Sequence, residues 1–211
     1  MFISMTRLAL VFALLLSSLA NCFSQSKPRD FFLGIDLVRS LPIYFDKGFT
    51  FEPSLVYGIK NGFTLDAAFG ISDISKNEIF ENIKYNCAGN YIRLGVRKEL
   101  GNQTNFDVGL AVGYSYYKET GKTTFVGKYF GDYTYEESTN DKIFFVEPSI
   151  NYKFQLLPNL FLIPQLRLPI PLNAFEKKSF KSYSAPGIGY LIPSPELFFQ
   201  RIAVRLLYKI H

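Results

Sequence analysis

The sequence predicts an all-β fold, an eight-stranded antiparallel up-and-down transmembrane β-barrel preceded by a cleaved signal peptide. Three observations predict it. From Phe31 onward, apolar side chains recur at every second position in eight separate segments, which is the period of a strand with two different faces. The apolar face of these segments carries no charge, while the other face combines glycine with charged residues. Short and long connections alternate along the chain, as in transmembrane β-barrels.

The first 24 residues have the composition of a secretory signal peptide. Arg7 supplies the positive charge, Leu8 to Leu16 form an apolar run, and the segment ending at Ser24 is small or polar. We therefore divide the chain into a signal peptide at residues 1–24 and an outer-membrane β-barrel domain at residues 25–211.

Cys22 leaves a second interpretation of the N-terminus open. The stretch Leu19-Ala20-Asn21-Cys22 resembles the lipobox of lipoproteins, although Asn21 stands where a small residue is expected. If the signal is instead cleaved after Ser24, Cys87 is the only thiol left and no internal disulfide can form. Whether Cys22 is lipidated is not decided by the sequence.

Eight segments show the alternation, and each has one continuous apolar face. They are FFLGIDLVRS (31–40), TFEPSLVYGIK (50–60), GFTLDAAFGIS (62–72), NYIRLGVRKEL (90–100), NFDVGLAVGYSYY (105–117), FFVEPSINYKF (144–154), LIPQLRLPI (162–170) and RIAVRLLYKI (201–210). The last segment has an alternative as an amphipathic helix, because Arg201, Arg205 and Lys209 are spaced by four. Proline interrupts the ladder of a strand, so we expect bulges or kinks at Pro53, Pro148 and Pro164.

The connections between the segments alternate in length. Asn61-Gly62 in the first short one favours a tight hairpin. The short connections are 60–62, 101–104 and 157–159, and the long ones are roughly 40–49, 73–88, 118–141 and 171–195. With the N-terminus in the periplasm, the short turns fall in the periplasm and the long loops outside the cell.

The alternative to a membrane barrel is a soluble, lipocalin-like exported binding barrel. It would bury the apolar face and expose the charged one. The charged face is rich in glycine and alanine, for example at Gly70, Gly95 and Gly113. Glycine weakens a strand unless something must come close, and the narrow lumen of an eight-stranded membrane barrel has that need. The apolar face also carries tyrosine near strand ends, where the aromatic girdles of membrane barrels lie.

The segments resemble a known group of proteins. The pattern is similar to that of small outer-membrane barrels of the OmpX and OmpA-domain type. The stretches GIDLVRSLPIYFDKGFTFEPSLVYGIKNGFTLDAAFGISD and NYIRLGVRKEL resemble an uncharacterised outer-membrane barrel family of the Bacteroidetes. The resemblance implies a barrel in the outer membrane, reached through a signal peptide, and brings no catalytic residues.

The polar face carries nearly equal numbers of acidic and basic side chains. Because a closed barrel pairs its last strand with its first, Arg201 and Arg205 should approach Asp36. A buried charge needs a partner, so we expect a salt-bridge network that fills the lumen and blocks free diffusion. Its candidate members are Asp36, Glu52, Asp66, Asp107, Glu147, Arg93, Arg97, Arg167, Arg201 and Arg205.

Enzymatic chemistry is not expected. Barrel hydrolases usually need a histidine as base, and the one histidine here is His211. With one histidine and two cysteines in the chain, clusters of these residues are not expected to bind a metal, and no cofactor site is apparent. A calcium site of loop carboxylates (Asp132, Glu136, Glu137 and Asp141) is an alternative to plain solvation of these acids.

The long loops are aromatic and basic. They could bind a protein partner or the phosphates of lipopolysaccharide, or simply extend the barrel wall. The candidate contact residues are Tyr129, Phe130, Tyr133, Lys177, Lys178 and Lys181. The net charge of +5 is modest and scattered, so nucleic acid is not an expected partner.

The sequence thus favours a non-enzymatic outer-membrane protein with a structural or surface-interaction role and a closed lumen. A narrow pore, or a subunit of a transport complex, is the alternative. Ligand, partner and oligomeric state are beyond what the sequence can name.

Overall fold

The structure is a computed structural model of the chain. The predicted signal peptide, Cys22, and the loop residues from Tyr129 to Phe130 and from Lys177 to Lys181 lie outside the described residues, as do Arg201 and His211. The structure describes residues 30–38, 47–76, 83–100, 105–125, 131–172, 184–190 and 202–210.

The described residues are almost entirely strand, with one 3-10 turn at Lys60–Gly62. None of them forms a helix that is both long and apolar enough to cross a membrane. The strands are β1 (Phe31–Asp36), β2 (Lys47–Phe51), β3 (Pro53–Gly58), β4 (Phe63–Lys76), β5 (Ile83–Glu99), β6 (Phe106–Phe125), β7 (Tyr133–Tyr152), β8 (Phe154–Leu157), β9 (Leu160–Arg167), β10 (Ile170–Pro171), β11 (Ser184–Ala185), β12 (Gly189–Tyr190) and β13 (Ile202–Lys209).

Eight of the described strands close into an antiparallel ring. The order is β1, β3, β4, β5, β6, β7, β9, β13 and back to β1. Asp36 of β1 pairs with Arg205 of β13, and Ser149 of β7 pairs with Arg167 of β9. The short strands β2, β8 and β10 lengthen this ring by pairing with β4, β9 and β7. The predicted eight-stranded up-and-down barrel is therefore confirmed.

Two local predictions can be compared with the backbone. The turn between β3 and β4 places Asn61 at φ 67° and Gly62 at φ 72°. This is the left-handed pair of a type I′ hairpin, as the Asn-Gly signal predicts. Residues Ile202 to Lys209 form a strand, so the helical alternative for this segment is wrong.

The bulges expected at three prolines are absent. Pro148 stays in continuous register with Leu110, Pro164 with Val204, and Pro53 with Ile35. Of the expected bulges or kinks, the bulges are therefore wrong, because each N–H in an antiparallel ladder points to only one neighbouring strand. Beside Pro53 the strand is interrupted at Glu52, between β2 and β3, with no change of register. A proline therefore removes one hydrogen bond without shifting the register.

Two of the long outer connections are shorter than expected. The chain stays in strand through Lys76 and again from Ile83. Strands β6 and β7 pair without interruption out to Phe125 and Tyr133. In these stretches the outward positions become polar, as at Lys118 and Lys122, while inward residues such as Cys87 and Glu119 stay buried. The loss of apolar residues from the outward face therefore does not end the strands.

The outside of the ring is apolar. Large apolar side chains on all eight strands of the ring point outward and are exposed; Leu94 of β5, for example, is 53% exposed. We call this surface the apolar band. On β6 it runs from Phe106 to Tyr116, which is about 34 Å along a strand and about 26 Å along the axis of a barrel with strands tilted by roughly 40°.

The inside of the ring holds the charged residues. Arg205 is 1% exposed and Glu52 is 0% exposed, whereas their outward neighbours Leu206 and Phe51 are partly or well exposed. This arrangement is the reverse of that expected for a soluble lipocalin-like barrel.

Inward glycines make room for large side chains on the next strand. Gly70 pairs with Tyr91 and Gly113 pairs with Phe145, and an added Cβ at either glycine would overlap the partner ring. The glycines of the polar face therefore let aromatic rings lie flat across a lumen that has little space.

Candidate functional site

The centre of the barrel interior is an ionic network. Its side chains come from seven of the eight strands of the ring and project inward because they share the parity of the inward glycines. The described members are Asp36, Glu52, Asp66, Arg93, Arg97, Asp107, Glu147, Arg167 and Arg205, all buried. These are the predicted lumen residues, apart from Arg201, which lies outside the described residues.

Glu52 lies at the middle of this network. Its Oε1 is 3.0 Å from Arg93 Nη2, 3.0 Å from Arg167 Nη1 and 3.3 Å from Arg205 Nη2. The hydroxyl of Tyr91 donates a hydrogen bond to Oε2 of the same carboxylate. Three strands, β5, β9 and β13, therefore place four donor side chains on Glu52, and each contact crosses the lumen rather than following one strand.

The network continues from Arg205 toward the short-turn end. Arg205 Nη1 lies 2.5 Å from Asp66 Oδ2, and Arg97 Nε lies 3.3 Å from the same oxygen. Arg97 Nη1 is 3.5 Å from Asp107 Oδ2, and the Asn151 amide donates to Asp107. Acidic and basic side chains thus alternate along the lumen, so that each buried charge lies beside a charge of opposite sign. A buried charge without such a partner would be costly to desolvate.

A second branch leads from Arg93 to β7. Arg93 Nη1 lies 2.5 Å from Glu147 Oε1, and Arg167 Nε lies 3.9 Å from that oxygen. Arg167 also reaches Asp36 at 3.2 Å. Gln165 accepts two hydrogen bonds from the Arg167 guanidinium, so Arg167 has a partner for each of its nitrogens.

An aromatic and apolar layer covers the network at the long-hairpin end. Part of the fourth long connection, Ser184–Tyr190, folds back as the two-stranded hairpin of β11 and β12. We call it the mouth hairpin. Its Ala185 and Ile188 are buried in one cluster with inward residues of β4, β5, β6 and β7. The other members of that cluster are Ile74, Tyr85, Cys87, Tyr117, Ile143 and Phe145.

Tyr91 links the mouth hairpin to the ionic network. Gly187, with φ +79°, lies so close to the Tyr91 ring that a Cβ would be 2.7 Å from it. The hydroxyl at the other end of Tyr91 donates to Glu52. Tyr91 was not among the predicted lumen residues. It lies two residues before Arg93 on β5 and so points to the same side of the strand.

A second apolar layer closes the short-turn end. Phe32, Val56, Phe161, Ile163 and Leu207 form one buried cluster. The Phe32 and Phe161 rings meet edge to face at a centroid distance of 5.6 Å. The interior therefore has an ionic network between two largely apolar layers. The layer at the long-hairpin end also holds one buried carboxylate, Glu119, which accepts a hydrogen bond from Tyr85.

The network leaves a small cavity between β5, β6 and β7. It measures about 20 Å³ and its walls include Gly95, Gly109 and Ala111. Asp66 Oδ1 and Glu147 Oε2 have no hydrogen-bond partner among the described residues, and both residues line the cavity. This volume has room for about one water molecule, far less than a continuous aqueous channel requires.

The predicted loop contacts are only partly described. Tyr133 is the first residue of β7, pairs with Phe125 and is 64% exposed, and Tyr135 is exposed nearby. The Glu137 carboxylate accepts a hydrogen bond of 3.3 Å from Tyr135 and its charge raises the pKa of that phenol. Tyr129, Phe130, Lys177, Lys178 and Lys181 lie outside the described residues.

Metal ligands do not assemble in the described part of the chain. The carboxylates considered for calcium, Asp132, Glu136, Glu137 and Asp141, are all described, and neither they nor any other described histidine, cysteine or acid forms a group that could hold a metal ion. The described outer part of the β6–β7 hairpin is a polar and aromatic surface, most of it exposed.

Comparison with known proteins gives a family but no activity. No curated protein matches the chain significantly. The crystal structure of the N-terminal β-barrel domain of Pseudomonas aeruginosa OprF aligns with 88% of this chain and 98% of its own, at 11% sequence identity and a TM-score of 0.37. A TM-score this low does not support a common fold, and the barrel is established by the strand pairing within the chain itself. Residues 5–199 match the family described as Domain of unknown function (DUF6048), and the chain belongs to that family.

Proposed function

We propose that this protein is a non-enzymatic barrel of the bacterial outer membrane with a closed lumen, acting in envelope structure or surface interaction through its outer hairpins. The observation that carries the proposal is the inversion of polarity across the sheet. Leu94, Phe144 and Ile150 are exposed on the outside, while Arg93 and Glu147 are buried inside. In water this inversion would expose a continuous apolar surface of a size that soluble monomers rarely tolerate.

A lipid bilayer removes that difficulty. The apolar band contacts the hydrocarbon core of the bilayer. The height of the band on β6 is close to the thickness of that core. Every strand of the ring has two hydrogen-bonded neighbours, so the backbone presents no open edge to lipid, as a membrane-spanning sheet requires. Above the band, the polar continuation of β4 to β7 projects into water. Assignment to an outer-membrane family of the Bacteroidetes stays a prediction from sequence resemblance.

The closed lumen supports a role other than transport. Arg93, Arg167 and Arg205 converge on Glu52 at the centre, and apolar layers lie on both sides of that point. Catalysis has no evident machinery in the described interior, whose charged side chains are engaged with each other. The interaction role then belongs to the projecting β6–β7 hairpin, where Tyr133 is available to a partner.

Cell fractionation and electrophysiology test this proposal. The full-length protein, expressed in a Gram-negative host, should enter the outer-membrane fraction and migrate faster on gels without boiling than after boiling. Purified protein in planar bilayers should give no resolvable steps of conductance, whereas a pore of the same size class serves as the positive control. Recovery in the soluble periplasmic fraction would reject the membrane assignment. Steady ion-selective conductance would reject the closed lumen in favour of a narrow pore.

A further inference from the structure

A group of lysines lies on the outward face of β5, β6 and β7, immediately above the apolar band. Lys84, Lys118, Lys122 and Lys142 are exposed and alternate with inward residues such as Tyr117. We call these four residues the lysine surface. None of them belongs to the ionic network or to the six candidate loop contacts named from the sequence.

The strand register brings the four lysines close together. Lys84 pairs directly with Lys122 across β5 and β6. Lys118 pairs with Asn140, two residues before Lys142 on β7, so Lys118 and Lys142 are diagonal neighbours on one face. Directly opposed side chains of neighbouring strands have Cβ atoms about 5 Å apart. Like charges in this position destabilise a sheet unless an anion lies between them.

Within the described residues, the face that carries the lysines holds fewer carboxylates than lysines. On the same face of β4 to β7, above the band, Glu136 lies opposite Lys122 and Asp73 lies on β4. Among the residues that the structure describes on this face, the four lysines therefore outnumber the two carboxylates. Within the described part of the chain, no salt bridge involves Lys84, Lys118 or Lys122.

The lysines lie at two heights above the band. Lys118 follows Tyr116, an outermost residue of the band on β6, by two residues, and Lys122 follows it by six. With a strand tilt of roughly 40°, these steps place the two side chains about 5 Å and about 16 Å above Tyr116 along the axis. A phospholipid carries its phosphate at one depth, next to the hydrocarbon. Lipopolysaccharide carries phosphate on lipid A and further anionic groups on the core sugars above it.

We propose that the lysine surface is a binding site for one lipopolysaccharide molecule. Its acyl chains lie on the apolar band. Lys118 and Lys142 bind the lipid A phosphate, and Lys84 and Lys122 bind the anionic groups of the core. This inference rests on the proposed function, because it needs the band to span the outer membrane with the lysine surface on the side of the outer leaflet.

Titration of the purified full-length protein with lipopolysaccharide tests the site. Protein in neutral detergent is mixed with lipopolysaccharide, and bound lipid is measured by native mass spectrometry. A lysine beside an anionic lipid surface contributes roughly fivefold to binding. The quadruple Lys→Gln variant at positions 84, 118, 122 and 142 should therefore bind at least about tenfold more weakly than the unchanged protein. Lys60→Gln, at an exposed lysine of the opposite end of the barrel, should bind like the unchanged protein.

Additional measurements distinguish the possible ligands from one another. They also distinguish failure of this binding site from failure of the proposed function. Dephosphorylated lipopolysaccharide should bind more weakly than the native lipid. Equal binding of the quadruple variant would overturn the site, and so would equally tight binding of phosphatidylglycerol or displacement of the lipid by inorganic phosphate at low millimolar concentration. Gel mobility with and without boiling is recorded for each variant. Folded, membrane-inserted protein that fails to bind lipopolysaccharide rejects this inference alone, whereas failure to insert rejects the proposed function.

Discussion

Replacing Glu52 by glutamine should destabilise the barrel more than any comparable change at its surface. The substitution keeps the shape of the side chain but removes the charge that three guanidinium groups share at 3.0, 3.0 and 3.3 Å. Glu52 is 0% exposed, so water cannot replace the lost carboxylate. Removing one partner from a buried ion pair costs about 3–5 kcal/mol. We therefore expect Glu52→Gln to lower the free energy of unfolding by about that amount.

Urea titration of protein folded into phosphatidylcholine vesicles measures this effect, with the shift in gel mobility reporting the folded fraction. The matched control is Glu136→Gln, because Glu136 is exposed on the β6–β7 hairpin and makes no salt bridge with a described residue. Its effect should stay within about 0.5 kcal/mol. If Glu52→Gln also stayed within that limit, the ionic network would not be holding the barrel together.

Two further changes probe the packing of the lumen. Gly113→Val should destabilise the barrel by about 1–3 kcal/mol, because the new side chain overlaps the Phe145 ring; adding Phe145→Leu should recover part of the loss in the same urea titration. Gly187→Leu should displace the mouth hairpin, because φ is +79° at this glycine. In a Cys22→Ser background, a water-soluble maleimide should then label Cys87, now 0% exposed, at least about tenfold faster. An unchanged rate of labelling would contradict the conclusion that the mouth hairpin shields Cys87 from solvent.

Much of the barrel follows from local sequence patterns. The alternation around Arg93 assigned Ile92 and Leu94 to the outside, and the structure exposes both. Asn61-Gly62 predicted the tight turn that the backbone adopts. These features depend on neighbouring residues only, because side-chain direction in a strand has a period of two.

The partners of each charge could not be predicted in the same way. Glu52 meets Arg167 and Arg205, which are 115 and 153 positions away. Which arginine reaches which acid depends on the stagger between strands and on ring closure, and neither can be read from one segment. Composition indicated that the lumen would be ionic, but it did not indicate that one carboxylate would receive three guanidinium groups.

The mouth hairpin was missed for a different reason. Ser184 to Tyr190 is short and contains proline and two glycines, so it has the composition of an exposed loop. Its burial comes from contact with Tyr91 and the aromatic residues at the upper end of the lumen. Only the three-dimensional arrangement brings those residues within reach.

Depth-dependent fluorescence quenching tests most directly whether hydrocarbon surrounds the barrel. The chain contains no tryptophan, so Leu94→Trp and Ser138→Trp each provide a single probe, the first on the apolar band and the second on the exposed outer hairpin. In vesicles carrying spin labels on their acyl chains, we expect strong quenching at position 94 and almost none at position 138. Equal, weak quenching at both positions, with both probes open to aqueous iodide, would contradict it.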